Sequence, residues 1–276
     1  VMQKKLIAAA VAGVLAAPVA VAEVAVSGSI RTGVEYTGSE WNVRNVGSRL
    51  RFKANSDLGN GQSVFATYEF GVNSAQGTIG GGKTNRLTVV GMKGDWGQLS
   101  LGSQWSTLFN TVGTFMDPSY IYGGYGYNNQ YRMADSVYVS TQLGGLSLSG
   151  DAQMSKGGDD LDRATLGGLM SIGGLSLGAA WQDNGDDDFT GVGGSMDIAG
   201  IGLAGGFVDQ NTSGSGYNIN GKIGSLRVSY DDHDSMADGR IWGNYTLQLG
   251  GGASAAVEIF NDGTNTGGTG FLRMNF

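Results

Sequence analysis

The stretch EVAVSGSIRTGVEY, residues 23–36, alternates apolar residues with small or polar ones at a period of two. One face carries Val24, Val26, Gly28, Ile30, Thr32, Val34 and Tyr36. The other face carries Ala25, Ser27, Ser29, Arg31, Gly33 and Glu35. Because successive side chains of a β-strand point to opposite sides, the pattern predicts a strand with one apolar and one polar face.

Similar runs continue along the chain and are separated by two kinds of connection. Short turns that contain glycine recur at residues 144–145, 173–174, 199–200, 224–225 and 250–251, with spacings of 29, 26, 25 and 26 residues. Each interval holds two alternating runs and one longer loop rich in Asp or Gly. Tight turns at one edge and long loops at the other predict a β-meander, in which glycine supplies the positive φ of the hairpin turns.

The alternation stops over residues 105–131, which read WSTLFNTVGTFMDPSYIYGGYGYNNQY. This insert holds one carboxylate, Asp117, together with Pro118, five tyrosines and no basic residue. An insert of this length without regular structure is uncommon in a compact protein and is usually functional. We expect the insert to fold into a pore that the rest of the chain forms.

The number of alternating runs sets the size of the predicted sheet. Five runs precede the insert and eleven follow it, which gives sixteen strands. The polar faces are too uniform and the hairpins too regular to favour a soluble sandwich. We therefore predict an all-β fold, a transmembrane antiparallel β-barrel of about sixteen strands, over residues 23–276. Such a barrel has a polar inner face and an apolar outer face, and its closure removes unpaired strand edges.

Residues 1–22 have the pattern of a signal peptide. Lys4 and Lys5 precede an apolar run from Leu6 to Ala17, and Ala20-Val21-Ala22 supplies the small residues of a cleavage site. We expect export, with Glu23 as the first residue of the mature chain. Removal of the two lysines leaves 15 of the 17 basic residues against 24 acidic ones. An acidic exported chain is a poor candidate for nucleic-acid binding.

The composition also argues against an enzyme. The chain has no cysteine and a single histidine, His233, which lies in a stretch that reads as a loop. A catalytic triad would depend on that residue, so we predict no enzymatic activity and no cofactor. Aspartates of the outer loops could bind Ca²⁺, namely Asp159, Asp160, Asp162 and Asp186–Asp188. Their spacing is not that of an EF-hand, so we expect solvated loop charges and no metal site.

Three stretches and the chain ending resemble the Gram-negative general porins. SGSIRTGVEY at residues 27–36 is similar to their first strand, and GSRLRFKANSDLGNG at residues 47–61 to their second strand and first periplasmic turn. NRLTVVGMKGDWGQLSLGSQ at residues 85–104 resembles the hairpin before their third loop, and the ending LRMNF is also similar. The resemblance is close as far as Trp105 and general in pattern afterwards.

The resemblance implies a trimeric barrel whose third loop narrows the channel. Basic residues of the wall would face acidic residues of the loop across the constriction. By position, the wall residues are Arg49, Arg51, Lys53 and Arg86, with Arg31 as a further candidate, and the loop acid is Asp117. The chain departs from the family at Ser103, where an arginine is usual, and in a third loop with one acid and many tyrosines.

The function that follows is a channel in the bacterial outer membrane for passive diffusion of ions and small hydrophilic solutes. A pore of this kind selects by size and by fixed charge. We expect weak selectivity, since the basic wall favours anions and the acidic outer loops favour cations. The expected partners are outer-membrane lipid, lipopolysaccharide, two further copies of the chain and the assembly machinery, which would recognise the terminal Phe276.

Two alternatives remain open on the sequence alone. The tyrosines of the insert could stack on sugars in a carbohydrate-selective pore, although tyrosine more often packs a loop; they are Tyr120, Tyr122, Tyr125, Tyr127 and Tyr131. A secreted β-solenoid or adhesin would account for the glycine content and the repeat of about 26 residues. A solenoid, however, would not alternate short and long connections.

Overall fold

The computed structural model describes residues 22–79, 85–124, 132–155, 161–185 and 187–276. The predicted signal peptide, apart from Ala22, lies outside the described residues. So do some of the residues considered above, namely Tyr125, Tyr127, Tyr131, Asp159, Asp160 and Asp186. Within the described ranges, no helix is long and apolar enough to cross a membrane.

The strands pair with their neighbours along the chain in one antiparallel sheet that closes on itself. The described residues form β1 (Glu23–Tyr36), β2 (Trp41–Asn45), β3 (Arg49–Gly59), β4 (Gln62–Asn73), β5 (Thr78–Ile79), β6 (Asn85–Gly94), β7 (Gly97–Trp105), β8 (Arg132–Leu143), β9 (Leu146–Gln153), β10 (Arg163–Ile172), β11 (Leu175–Asp183), β12 (Phe189–Ile198), β13 (Ile201–Gln210), β14 (Gly214–Ile223), β15 (Leu226–His233), β16 (Arg240–Gly250), β17 (Ala253–Asn261) and β18 (Thr266–Asn275). β1 also pairs with β18, with Arg31 opposite Arg273. Without the short β2 and β5, these strands form a barrel of sixteen, which confirms the predicted fold and strand number.

The short strand β2 continues the ladder of β3 beyond a break. β3 pairs with the first half of β1, and β2 pairs with its second half. Residues 46–48 lie between them, and the N–H of Arg31 donates a hydrogen bond to Ser48 Oγ at 2.8 Å. At this break the N–H of Val46 donates a hydrogen bond to the Arg31 carbonyl oxygen at 3.0 Å, and its side chain joins a buried apolar cluster with Ala256 and Phe271.

The two faces of the barrel wall have the opposite polarity to those of a soluble protein. Large apolar side chains are exposed on the outer face, with Leu166 66% and Ile219 65% exposed. Several charged side chains on the inner face are buried, and among them Glu69, Asp231 and Glu258 are 0% exposed. Because apolar area in contact with water costs about 25 cal/mol per Å², this outer face is suited to lipid and the inner face to an aqueous lumen.

The tight turns lie where the glycine pattern predicts them. The turn from β12 to β13 shows why the pattern is informative: Ala199 has a φ of 52° and Gly200 a φ of 83°. Two-residue hairpins of this type need positive φ at their central positions, which glycine adopts without a steric penalty.

The predicted orientation of β6 is wrong for most of that strand. The alternation of residues 85–92 in the sequence predicts that Arg86 and Thr88 lie on one face and that Leu87 and Val89 lie on the opposite face. In the structure, Thr88 pairs with the outward-facing Tyr68, so Leu87 and Val89 face the lumen instead. A register shift where β4 passes from Glu69 to Phe70 still brings Arg86 to the inner side. A bulge of this kind redirects a side chain, and the sequence pattern does not reveal it.

Candidate functional site

The first part of the insert is a short helical segment packed against the inner wall. A π-helical turn, Phe109–Gly113, is followed by a helical turn, Thr114–Met116. We call these two turns the loop helix. They contact β10 to β14. The apolar cluster beneath consists of Leu108, Val112 and Met116 from the insert and Ala180, Phe189 and Val208 from the wall.

Sequence reasoning missed this helix, although a signal for it is present. Leu108, Val112, Phe115 and Met116 follow one another at i, i+4, i+7 and i+8, the spacing of an apolar helical face. All four side chains are buried. The insert was predicted to lack regular structure because the alternation of the strands stops there, and its helical spacing was not considered.

An inward-facing carboxylate holds the start of the helical segment. The N–H of Thr107 donates a hydrogen bond to Asp151 Oδ2 of β9. Farther along, Asn220 Nδ2 of β14 donates a hydrogen bond to the Phe115 carbonyl oxygen at 3.0 Å. The insert is therefore attached to the wall by polar contacts at two points in addition to its apolar cluster.

A second carboxylate, that of Glu258 on β17, holds the segment after Pro118. Three consecutive backbone N–H groups, of Tyr120, Ile121 and Tyr122, donate hydrogen bonds to its two oxygens at 2.8 Å each. Asn244 Nδ2 donates a fourth at 3.1 Å. A carboxylate is the strongest acceptor among side chains for such a group of amides. Glu258 is thus the main polar anchor of this part of the insert, and no local sequence pattern indicated it.

The two described tyrosines among the predicted site residues are packed and hydrogen-bonded. The Tyr122 hydroxyl donates to Glu35 Oε1 at 2.9 Å and lies 2.6 Å from Thr269 Oγ1. The Tyr120 hydroxyl lies 2.9 Å from Thr246 Oγ1, and its ring meets Phe271 edge-on at 5.1 Å. These contacts match the packing role that is usual for tyrosine and leave little of either ring for a sugar.

Asp117, the predicted acid of the constriction, follows the loop helix directly. Its N–H donates to the Gly113 carbonyl oxygen at 2.9 Å, and Ser119 Oγ donates to Asp117 Oδ1 at 3.3 Å. Asp117 also lies close enough to Asp231 of β15 for the two carboxylates to interact electrostatically. β15 is separated from the basic wall strands β3 and β6 by several strands in each direction around the barrel.

The basic wall contains an acid that the sequence analysis did not include. Glu69 of β4 is fully buried between two of the predicted arginines. Arg51 Nε donates to Glu69 Oε2 at 2.7 Å, and Arg86 Nε donates to Glu69 Oε1 at 2.6 Å. Arg49 and Lys53 share the inner face of β3 with Arg51. The structure therefore brings the predicted wall residues together, with one buried carboxylate among them.

A cavity of about 390 Å³ lies between this wall and the beginning of the insert. From the wall, Arg51 and Lys53 line it, and from the insert Trp105 and Asn110 line it. The Trp105 indole is stacked on Phe109 at 4.3 Å, and the Arg132 guanidinium lies 5.1 Å above the indole. The side of the insert that faces these cations is therefore polar or aromatic.

A family model described as Gram-negative porin matches residues 8–238. The chain belongs to the Gram-negative porin family. This membership confirms the resemblance stated above and the predicted location in the outer membrane.

A curated relative aligns with less than half of this porin. Over 125 residues the porin is 35% identical to the major outer membrane protein P.IB of Neisseria gonorrhoeae, covering 40% of this chain and 34% of that protein. The alignment thus spans about a third of the curated relative's length.

Two solved structures show the same fold. They are the anion-selective porin from Comamonas acidovorans, with a TM-score of 0.75 and 18% identity over 92% of this chain and 100% of that chain, and OmpT of Vibrio cholerae in its trimer form. For OmpT the TM-score is 0.73 and the identity 14%, over 92% and 99% of the two chains. Identities this low establish the fold alone.

Phe276 takes part in barrel closure. The N–H of Gly28 donates to the Phe276 carbonyl oxygen at 2.8 Å, and the N–H of Phe276 donates to the Gly28 carbonyl oxygen at 3.2 Å. The Phe276 ring covers Gly28, because a Cβ at that position would lie 2.7 Å from Phe276 Cζ. The ring is otherwise exposed on the outer face.

The described aspartates of the outer loops hold neighbouring segments in place. Asp187 accepts hydrogen bonds from the N–H groups of Thr212 and Ser213 at 2.8 and 3.2 Å and from Ser213 Oγ at 2.7 Å. Hydrogen bonds from Thr212 and Ser213 lower the pKa of Asp187 to about 2. Asp162 similarly accepts from Ser155. In the described ranges, no three or more His, Cys, Asp or Glu side chains are grouped so that they could hold a metal ion.

Proposed function

We propose that this porin forms a water-filled channel for passive diffusion of ions and small hydrophilic solutes, and that it is not an enzyme. The observation that carries the proposal is the lumen itself. Its wall is lined by charged and polar side chains, and the insert is held against one part of that wall, so that a polar cavity remains beside the other part. A pore of this form passes solutes that stay hydrated and excludes apolar or bulky ones.

The proposed constriction lies between the insert, residues 105–131, and the basic wall. Its wall residues are Arg31, Arg49, Arg51, Lys53 and Arg86. On the insert side, Trp105 and Asn110 line the cavity opposite Arg51 and Lys53. Asp117 lies near Asp231, and its carboxylate would act on ions from that more distant position. Tyr120 and Tyr122 would contribute by fixing the insert.

We propose that selectivity at this constriction is for anions, but weak. Five cations face one carboxylate, Glu69, which neutralises part of their charge. Charges in a narrow lumen are screened less than on an open surface, where they fade over about 8 Å at physiological salt. The acidic outer loops act in the opposite direction at the mouth of the channel.

The proposed assembly is a homotrimer in the outer membrane. The related fold of OmpT includes a structure described as a trimer form. Lipid and lipopolysaccharide would contact the apolar outer face. Residues 1–22 would be removed on export, and Phe276, exposed beside Gly28, would be recognised by the assembly machinery.

Single-channel recording in a salt gradient tests the proposed function. The wild-type barrel should conduct ions, and its reversal potential should have the sign of a weakly anion-selective pore. Replacement of Arg49, Arg51 and Arg86 together by serine should raise the conductance and move the reversal potential towards cations, because Glu69 then remains without its two partners. The exposed Glu40→Gln variant is the matched control for a change of charge outside the lumen. Unchanged conductance and reversal potential in the folded triple variant would refute the assignment of these residues.

A further inference from the structure

The wall beneath the loop helix lacks side chains along a row of three strands. Gly178 of β11 lies directly opposite Gly193 of β12, and Gly193 lies opposite Gly206 of β13. All three residues are on the inner face, because they alternate with outward-facing Leu177, Val192 and Phe207. None of them has the positive φ that requires glycine for backbone reasons. The absence of a side chain therefore needs a different explanation.

The insert fills the space that side chains would occupy at these positions. A Cβ on Gly178 would lie 1.7 Å from the Thr111 carbonyl oxygen. A Cβ on Gly193 would lie 2.9 Å from Phe115 Cδ2, and one on Gly206 would lie 2.8 Å from Met116 Cγ. A Cβ on Gly206 would also lie 2.8 Å from the Val192 carbonyl oxygen of the neighbouring strand. At Gly178 the obstructing group is the backbone of the insert itself, which, unlike the Phe115 and Met116 side chains, cannot move aside by changing a rotamer.

We propose that Gly178, supported by Gly193 and Gly206, determines the width of the pore by setting how close to the wall the loop helix lies. This inference rests on the proposed function, which it extends to particular residues. The wall at Gly178 is stiff, since β11 is hydrogen-bonded along its length to β10 and β12. The insert is held there by side-chain packing and a few hydrogen bonds, so it yields first.

The direction and size of the displacement follow from the geometry. Non-bonded heavy atoms are in favourable contact at about 3.5–4.0 Å. Any side chain at position 178 must therefore push the Thr111 carbonyl group away by roughly 2 Å, and the lumen is the free direction. A larger side chain moves the insert farther and narrows the pore more. At position 193 the displacement is smaller, because the Phe115 ring can rotate.

The experiment compares Gly178→Ala and Gly193→Ala with a glycine on the outer face. Gly168→Ala is the matched control, because its Cβ would have its nearest neighbour, Leu148 Cδ2, at an ordinary 3.4 Å. Each variant is folded in detergent and examined by single-channel recording. We expect conductance to fall in the order wild type and Gly168→Ala, then Gly193→Ala, then Gly178→Ala. Equal conductance in all folded variants would overturn the inference.

A second measurement reads the position of the insert without any current. The chain has no cysteine, so spin labels can be attached at Thr114→Cys on the loop helix and Thr67→Cys on the facing wall. The distance between the labels should shorten in Gly178→Ala and remain unchanged in Gly168→Ala. An unchanged distance in Gly178→Ala overturns the inference, whether or not the wild-type barrel carries a current. A wild-type barrel that carries no current would instead contradict the proposed function.

A compensating pair decides the question if Gly178→Ala does not assemble. Gly193→Ala pushes against the Phe115 ring, so Phe115→Ala in the same chain removes the group that is pushed. The pair should restore the conductance and label distance that Gly193→Ala alone has lost. A Gly193→Ala variant that behaves like Gly168→Ala, or a loss that Phe115→Ala does not reverse, would count against the proposed role of these glycines.

Discussion

The lumen has two regions in which the same kind of sequence pattern serves different purposes. In the docked region, formed by β9 to β18, inward-facing residues hold the insert: Asp151 and Glu258 accept its amide hydrogen bonds, and glycines give it space. In the open region, formed by β3 to β8, inward-facing Arg51 and Lys53 line a cavity. Alternation places all of these residues inside, but it does not distinguish an anchor from a charge that faces water.

Three carboxylates of the lumen hold neighbouring groups in place. Glu258 accepts hydrogen bonds from the insert, Glu69 from Arg51 and Arg86, and Asp231 from the Trp242 indole at 2.6 Å. Of these three, only Glu69 has cationic partners, since Glu258 and Asp231 accept hydrogen bonds from neutral amide and indole groups, which do not offset a negative charge. In the open region, the field therefore depends on how far Glu69 offsets the charge of the wall cations.

The largest expected effect is that of removing the anchor in the docked region. Glu258→Ala leaves three N–H groups of the insert without their acceptor, and hydrogen bonds to a charged group contribute about 1.5–3 kcal/mol each. Water in the lumen can accept hydrogen bonds from these N–H groups, so the net loss of binding free energy is smaller than the sum of the three bonds. We expect the insert to detach for part of the time, seen as large fluctuations of the open-channel current. A protease that cuts after aromatic residues should also cleave the folded barrel within the insert.

Two further variants sharpen that test. Glu258→Gln keeps one acceptor oxygen and should have an intermediate effect. Glu40→Gln removes a carboxylate from an exposed position between β1 and β2 and should behave like the wild type. A quiet, protease-resistant Glu258→Ala barrel would show that the apolar cluster around Leu108 and Val112 is sufficient to hold the insert.

The sequence predicted the barrel well because lipid and water impose a strict rule on each strand. Every membrane-spanning strand must present an apolar face outwards, so alternation alone gave the sixteen strands and nearly all of their orientations. β6 was the exception. Which of its side chains face the lumen depends on a register shift in the pairing of β4 with β6, between Glu69 and Phe70. Such a shift is a property of two paired strands and cannot be found in the sequence of either one.

The site was predicted less completely, because many of its contacts join residues that are far apart in the sequence. The wall cations were found because Arg49, Arg51 and Lys53 are adjacent on one strand. The bond between Glu258 and Tyr120 joins residues 138 positions apart, and no local pattern indicates it. The same holds for Asp151 and Thr107. The helical spacing of Leu108, Val112 and Met116, in contrast, could have been found from the sequence.

The next largest effect concerns the open region. Glu69→Gln removes the one carboxylate that Arg51 and Arg86 share, so the wall gains net positive charge. We expect the reversal potential in a salt gradient to move further towards anions, opposite to the shift predicted for the triple serine variant. Glu40→Gln again controls for a loss of charge outside the lumen. An unchanged reversal potential would mean that Glu69 does not affect the path of the ions.

A smaller effect is expected where the insert approaches β1 and β18. Tyr122→Phe removes the hydroxyl that bonds to Glu35 and Thr269, and an ordinary hydrogen bond contributes about 1 kcal/mol net. Tyr120→Phe is the matched comparison, because it loses a single contact with Thr246. We expect faster cleavage of the insert in Tyr122→Phe than in Tyr120→Phe. Equal rates would indicate that the rings, rather than the hydroxyl groups, hold this segment.

The smallest effect is expected in the outer loops next to the docked region, where side-chain hydrogen bonds hold two loops together. Asp187 follows β11 and accepts hydrogen bonds from Thr212 and Ser213, which lie between β13 and β14. Its pKa of about 2 is below the ordinary value of 3.8. A carboxyl group whose pKa is lowered by folding stabilises the ordered loops above its ordinary pKa. That contribution decreases as the pH falls from the ordinary value through the lowered one.

Hydrogen exchange measures this contribution at the amides of Thr212 and Ser213. After correction for the intrinsic pH dependence of exchange, their protection should be constant above about pH 5 and should decrease towards pH 2, as expected for a group that binds its proton in this interval. In Asp187→Asn, protection should be lower at neutral pH and should not change further in acid. Asp187 is partly exposed in a loop, so salt and water reduce the effect and barrel stability should not change. If wild type and variant lose protection in parallel, the two loops are ordered by the strands beneath them rather than by Asp187.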